Sequence, residues 1–119
     1  MKIPARHSSG VTILEPKGKI TIGVGDVALR EAVHEAVDAG AKHILINLGE
    51  VTTIDSSGIG ELVAAFTTVT NRGGNLKLLN LPPKVQDILQ ITQLFTVFDV
   101  LDDEDEAIAS FEEDDKGEG

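Results

Sequence analysis

The chain contains no cysteine, no tryptophan and no tyrosine, and only four phenylalanines. Without cysteine, the sequence excludes disulfide bonds and thiolate metal sites. A core with so few aromatic rings has to be built from Val, Ile, Leu and Ala. No apolar run approaches the roughly 20 residues that a membrane-spanning helix requires. The first nine residues contain no apolar stretch of the kind found in signal peptides. We therefore expect a cytoplasmic protein.

Basic residues are also scarce, with 10 Lys and Arg against 20 Asp and Glu and a formal net charge of −10. Residues 102–119 hold ten acidic residues and one lysine, a net charge of −9, which leaves −1 for residues 1–101. The body of the chain lacks the basic stripe that nucleic-acid binding requires, so we expect no direct nucleic-acid partner. We interpret the acidic end as a solvated helix followed by a tail over residues 112–119.

Apolar patterning along the 119 residues predicts one domain in which strands alternate with helices. Residues 1–9 are polar, and we expect them to be poorly ordered. Residues 11–14 and 19–22 are predicted to pair as an N-terminal hairpin. A helix capped by Asp26 and ended by Gly40 is predicted next, followed by a strand over 43–48 and a helix to about Arg72. A strand over 76–81 then leads to a helix whose apolar face consists of Val85, Ile88, Leu89 and Ile91. After a strand over 97–101, a last helix starts with Asp103 and Glu106 and packs Ala107, Ile108 and Phe111 on the sheet.

Residues 51–60, Val-Thr-Thr-Ile-Asp-Ser-Ser-Gly-Ile-Gly, connect the strand over 43–48 to the second helix. Asp55 or Ser56 can cap the free N–H groups at the start of that helix. A phosphate on Ser56 would meet the same donors and the positive end of the helix dipole. Both interpretations stay open, because one cap needs only one such residue. Ser57 is expected to bond the backbone locally, and Gly58 and Gly60 would allow close approach of a strand or of a partner.

Other chemistry has weaker support in the sequence. Ile54 occupies the place of the first glycine in a nucleophile elbow, and none of the three histidines is placed as a base. The segment Gly23-Val24-Gly25 lacks the third glycine of a dinucleotide loop, and Gly18-Lys19 lacks the Ser or Thr of a phosphate loop. No cluster has the spacing of a metal site. We therefore expect neither an enzyme nor a cofactor.

The Asp-Ser-Ser-Gly-Ile-Gly segment, between a strand and a helix, resembles the phosphoacceptor segment of STAS domains, and most of all that of free-standing anti-sigma factor antagonists. The resemblance extends over about residues 9–111 and implies a single STAS domain over residues 1–119. It implies an α/β fold with a short mixed, mainly parallel β-sheet, an N-terminal hairpin and about four helices packed largely on one side. It also implies that Ser56 is the phosphoacceptor. The phosphosite environment and partner contact would then comprise Thr21, Asp55, Ser57, Gly58 and Gly60.

The same resemblance implies a switch between partners. The unphosphorylated protein would bind an anti-sigma factor serine kinase, and a serine phosphatase would restore it after phosphorylation. We expect a monomer or weak dimer with no membrane partner. Lys19 and Thr21 depart from the Gly-Glu-Leu-Asp pattern that is common at this strand, which leaves the identity of the kinase open. The alternative function is a STAS scaffold or accessory subunit of a signalling or lipid-transport complex, without phosphorylation. A nucleotide or small-ligand binder is a third possibility.

Overall fold

The computed structural model describes the backbone of residues 2–117 and the side chains of residues 2–114. This part of the chain forms seven strands, four α-helices and one turn of 3-10 helix. The strands are β1 (Ala5–Ser8), β2 (Val11–Leu14), β3 (Gly18–Ile20), β4 (His43–Asn47), β5 (Val51–Ile54), β6 (Asn75–Leu79) and β7 (Asp99–Leu101). The helices are α1 (Gly25–Asp38), α2 (Ser56–Asn71), α3 (Pro83–Ile91) and α4 (Glu104–Gly117), and the 3-10 turn is Leu94–Thr96.

Five strands form the main sheet in the order β1-β2-β4-β6-β7. All neighbours in this sheet run parallel except β1 and β2, which are antiparallel. The crossover helices between parallel strands explain this arrangement, since each carries the chain back to the start of the next strand. The predicted mixed, mainly parallel sheet is confirmed. The strands β3 and β5 form a separate two-stranded parallel sheet.

The N-terminal hairpin is present, but it uses a different pair of strands from the predicted one. Its second strand is β2, and its first is β1, within the residues that we expected to be poorly ordered. The turn consists of Ser9 and Gly10, which both have positive φ angles, 51° and 81°. Two left-handed residues match the twist of a tight two-residue hairpin. The predicted partner, residues 19–22, pairs through β3 with β5 instead.

A short strand that the sequence interpretation missed precedes α2. We predicted that the strand over 43–48 leads through a turn into α2, whereas β5 forms between them. Val51 and Ile54 are buried while Thr52 and Thr53 are exposed. Pairing with β3 therefore supplies the backbone hydrogen bonds of a segment whose own pattern resembles a turn.

The sheet separates two apolar layers. The helices α1, α2 and α3 cover one face, where Ile44, Ile46, Leu76 and Leu78 contribute to the larger core. On the opposite face α4 packs Ala107 and Phe111 against Val11, Ile13, Leu45 and Leu79. The prediction that helices lie largely on one side is confirmed. None of the helices in residues 2–117 combines the length and the apolarity that crossing a membrane requires.

The helix α4 begins as predicted, with the Asp103 carboxylate accepting a hydrogen bond of 2.9 Å from the Glu106 N–H. The prediction of a purely solvated acidic end is wrong at Asp114. Its carboxylate lies 2.8 Å from the Nζ of Lys77, a buried lysine in the middle of β6. One acidic residue near the end of the chain therefore balances a charge in the interior.

The region between α3 and β7 is less buried than predicted. Ile91, assigned to the apolar face of α3, is 82% exposed. The last strand begins at Asp99, so Val97 lies outside it and is exposed. The 3-10 turn before Val97 presents Phe95, which is 50% exposed. This edge of the molecule therefore has apolar side chains at its surface.

Candidate functional site

The candidate site is built around Asp55, which is the N-cap residue of α2 and has an extended backbone. One oxygen of its carboxylate accepts a hydrogen bond of 2.9 Å from the Gly58 N–H. The other accepts one of 3.0 Å from the Ile22 N–H in the loop between β3 and α1. Of the two caps that the sequence allowed, the structure therefore selects Asp55. The same carboxylate joins the start of α2 to a second loop.

These two hydrogen bonds favour the charged form of the carboxylate. The Gly58 N–H, followed by the Ile22 N–H, holds the pKa of Asp55 below its ordinary value near 3.8. A donor to a carboxylate stabilises the anion and has no equal effect on the neutral acid. Asp55 therefore carries a full negative charge at neutral pH, next to the position of Ser56.

Ser56 is the first residue of α2, and its side chain is exposed. Within residues 2–114, no side chain or backbone group forms a hydrogen bond with its hydroxyl. Because the cap uses Asp55, the Ser56 hydroxyl has no structural role at the helix start. The backbone N–H groups in the first turn of a helix lack intrahelical partners and favour anions. Ser57 follows in the same turn and is half-buried.

The two glycines of the segment differ in their surroundings. A Cβ atom at Gly58 would overlap the backbone carbonyl of Ile20, so this glycine lets α2 pack directly on β3. A Cβ atom at Gly60 would meet no atom within 4 Å. The packing interpretation therefore fits Gly58, and the open approach fits Gly60.

The loop between β3 and α1 is held from both sides. Asp26, which we predicted as the cap of α1, lies inside the first turn, and Val24 is the N-cap residue. The buried carboxylate of Asp26 accepts hydrogen bonds from Gly23, at 2.9 Å, and from Val27, at 2.7 Å. Its own N–H donates to the carbonyl of Thr21 at 3.1 Å. Asp26 therefore fixes the loop to α1, while Asp55 fixes it to α2. Thr21 directly precedes Ile22, the loop residue that is bonded to the start of α2.

Two apolar side chains on this loop were not recognised as site residues from the sequence. Ile22 is 74% exposed and Val24 is 61% exposed, although the loop is anchored at its backbone. The available signal was an isolated Ile-Gly-Val-Gly run just before a helix, which we assigned partly to a strand. We call Ile22, Val24, Ser56 and Gly60 the switch face.

An ion pair beside this face joins α1 to α2. The Arg30 guanidinium donates to a carboxylate oxygen of Glu61 from two nitrogens, at 2.9 and 3.1 Å. The hydrogen bonds to Glu61 raise the pKa of Arg30. Glu61 follows Gly60 on α2, so this contact links the two helices close to Gly60. No group of three His, Asp or Glu side chains that could hold a metal occurs within the described part of the chain.

Comparisons with known proteins find one matching family model and several similar proteins. A family model described as the STAS domain matches residues 2–107. The anti-sigma F factor antagonist of Paenibacillus polymyxa is 26% identical over 113 residues, which cover 94% of this chain and 96% of that protein. The crystal structure of an anti-sigma factor antagonist from Mycobacterium paratuberculosis has a TM-score of 0.82 at 21% identity and covers 93% of each chain. The phosphorylated form of the Bacillus cell fate determinant SpoIIAA has a TM-score of 0.72 at 21% identity and covers 91% of this chain and 97% of that one.

Proposed function

The chain belongs to the STAS domain family, and on that premise we propose that it is a protein-binding regulator, an anti-sigma factor antagonist of the cytoplasm. Unphosphorylated, it binds an anti-sigma factor serine kinase. Phosphorylation of Ser56 by that kinase releases the partner, and a serine phosphatase reverses the modification. The observation that carries this proposal is the exposed Ser56 hydroxyl, which has no structural role because Asp55 caps α2.

The switch face suits a partner that binds the unmodified protein. Ile22 and Val24 offer apolar contact area on a loop whose backbone is already fixed, so little ordering is needed on binding. Gly60 leaves the adjacent surface of α2 flat. Apolar residues at the centre of a contact and polar residues at its rim are typical of protein interfaces.

Phosphorylation would change this surface without unfolding the helix. A phosphoserine brings roughly −1.5 to −2 charges, which the helix N-terminus can stabilise. The adjacent Asp55 is already charged, so the two anions repel each other and the phosphate turns towards solvent. An apolar partner surface would then have to desolvate a hydrated dianion, which is costly. The bound state is lost for that reason, while the fold is kept.

The surroundings of the site bear on the choice of kinase. Lys19 is exposed on β3, and Thr21 lies at the base of the loop. Both replace acidic residues of the pattern common in the family. A partner kinase should therefore carry a less basic surface opposite these positions than a kinase that recognises the acidic pattern.

The test is phosphorylation by candidate serine kinases from the same organism, measured by intact mass and peptide mapping. We expect one phosphate, located on Ser56, in the wild type and in Ser57→Ala, and none in Ser56→Ala. A phosphate that maps to Ser57 would contradict the assignment. If none of the kinases modifies the wild type, the scaffold function without phosphorylation is favoured instead.

A binding experiment separates the contact from the modification. In calorimetry with the kinase that phosphorylates the wild type, Ser56→Asp should fold normally and bind far more weakly. Ile22→Ser should also bind weakly, although its Ser56 hydroxyl is unmodified. The matched control is Ile91→Ser, another exposed isoleucine outside the switch face. Equal binding by Ile22→Ser and Ile91→Ser would show that the loop makes no contact with the kinase.

A further inference from the structure

A groove of about 460 Å³ crosses the edge of the main sheet at β7. Its lining includes Leu89 of α3 and Ser110 of α4, which lie on opposite faces of the sheet. It also includes all three residues of β7, the last strand in the sheet. A hollow that touches both faces and the strand between them has to lie outside that strand. The groove is therefore continuous with the open edge of the sheet.

The backbone of β7 has an open side along this groove. In residues 2–117, the sheet has no strand beyond β7. The carbonyl of Leu101 accepts a hydrogen bond of 3.0 Å from the Asn80 N–H on the β6 side. Since residues that bond one neighbour alternate along a parallel strand, Val100 presents its N–H and C=O to the groove. Such a pair of groups can accept another extended chain.

The two walls of the groove differ in chemistry. On the α3 side the lining includes Leu81, Phe98 and the half-exposed ring of Phe95, together with the side chains of Gln86 and Gln90. On the α4 side lies Asp99, which is largely exposed. Asp114, which is partly exposed, lies beside it at an adjoining smaller hollow. Between these carboxylates the Lys77 ammonium donates to the Ser110 hydroxyl at 2.8 Å and contacts Asp114 at the same distance. Taken together, the groove and the adjoining hollow have two carboxylates and one ammonium on this side, which leaves a net negative charge.

A second, smaller hollow extends the same edge. It has a volume of about 210 Å³ and shares Lys77, Asp99 and the edge of the sheet with the groove. Its own lining adds Phe66 and Val97 on the apolar side and Asp114 on the acidic side. The same division into apolar and acidic walls thus continues along the edge strand. Side chains of an added strand would alternate between these walls.

We propose that this edge binds an extended peptide with alternating apolar and basic residues, which adds to β7 as a further strand. Its apolar side chains would lie against Phe95 and the partly exposed Leu81, and its lysines or arginines against Asp99 and Asp114. Charge complementarity selects this occupant. A second copy of the chain is disfavoured, because residues 102–119 carry a net charge of −9. An anionic lipid is disfavoured by the same carboxylates. The site lies on β7 and not on the switch face, so it does not depend on Ser56.

The probe is a fluorescein-labelled peptide of about seven alternating leucines and lysines, titrated with the full-length protein in fluorescence anisotropy. We expect saturable binding that weakens with salt, and amide NMR shifts centred on Val100. Phe95→Ser should weaken binding by about tenfold or more. Ile91→Ser, which removes an exposed apolar side chain outside the groove, should bind like the wild type.

Two peptide controls separate strand addition from charge attraction. One has the same composition with its lysines in a block, and the other carries N-methyl groups at alternate residues, which remove the N–H donors. Both should bind at least about tenfold more weakly than the probe. The proposal is overturned if either control binds as well, if Ile91→Ser loses as much affinity as Phe95→Ser, or if the probe shows no saturation below about 1 mM.

Discussion

Removing the Asp114 carboxylate should destabilise the protein, although this residue lies near the end of an acidic helix. Its partner Lys77 has a side chain only 4% exposed, whereas Asp114 is 40% exposed. Breaking a fully buried pair costs about 3–5 kcal/mol, and an exposed pair contributes about 0–1 kcal/mol. Lys77 would keep its hydrogen bond to Ser110 and the more distant Asp99, at 3.7 Å. We therefore expect Asp114→Ala to lower the free energy of unfolding by about 1–2 kcal/mol.

The local effects of this substitution have the opposite sign. Alanine favours helix formation more than aspartate, and an acidic residue near a helix C-terminus is unfavourable. Glu113→Ala is the matched control, because Glu113 is exposed on the same helix. It should leave the stability unchanged or increase it slightly. A loss that is specific to Asp114 can therefore be assigned to Lys77.

A double substitution makes the reasoning sharper. Lys77→Met removes the buried charge, so adding it to Asp114→Ala should recover most of the lost stability. The measurement is urea unfolding followed by circular dichroism, with stabilities compared at a constant m-value. An Asp114→Ala protein within about 0.5 kcal/mol of the wild type would refute the pairing. So would a double variant that is less stable than Asp114→Ala alone.

Three further predictions follow from the same structure. Gly58→Ala should lower the free energy of unfolding in urea by about 1–3 kcal/mol, because the new Cβ would overlap the Ile20 carbonyl. Gly60→Ala should leave the stability unchanged or increase it. Equal effects of the two substitutions would contradict the packing at Gly58. The pKa of Asp55 is lower in the folded protein than its ordinary value near 3.8, so its charge stabilises the fold at pH values above 3.8, and this stabilisation is lost as the pH falls through the folded pKa. Thermal melts of Asp55→Asn should therefore depend less on pH than those of the wild type below about pH 4. An unchanged pH dependence would argue against this linkage. A chain that ends at Phe111 loses Asp114 and should melt lower by about as much as Asp114→Ala, and a midpoint equal to that of the full chain would show that the ion pair contributes nothing.

Local signals predicted two helix starts correctly, misplaced the cap of α1 at Asp26 instead of Val24, and failed for the strand pairing. Asp55 caps α2 and Asp103 caps α4, as their residue types and spacing indicated. A cap needs only its own residue and the next turn, so the sequence carries the information. The hairpin was assigned to the wrong strands because pairing depends on distant residues. Ile20 pairs with Ile54, and no pattern near Ile20 indicates this.

The same difference between local and long-range contacts explains why only part of the geometry of the candidate site could be predicted from the sequence. The run from Asp55 to Gly60 is contiguous, so its position at a helix start could be predicted. The hydrogen bond from the Ile22 N–H to the Asp55 carboxylate joins residues 33 positions apart in the chain, so the local sequence could not predict it. Lys77 was likewise assigned to a strand without a special role, because a lysine in a strand usually faces solvent. Only the packing of α4 shows that it is buried.

The separation of β3 and β5 from the main sheet has a consequence for related proteins within one cell. Most of the core is organised by the five-stranded sheet, whereas Lys19, Thr21 and Ile22 belong to the small sheet and its loop. Under the proposed function, substitutions at these three positions would change the surface offered to a kinase without altering the strand register of the larger sheet. Paralogues can therefore diverge in partner choice while they keep the same fold. Cross-talk between such paralogues would then be limited by the few side chains of this loop and strand.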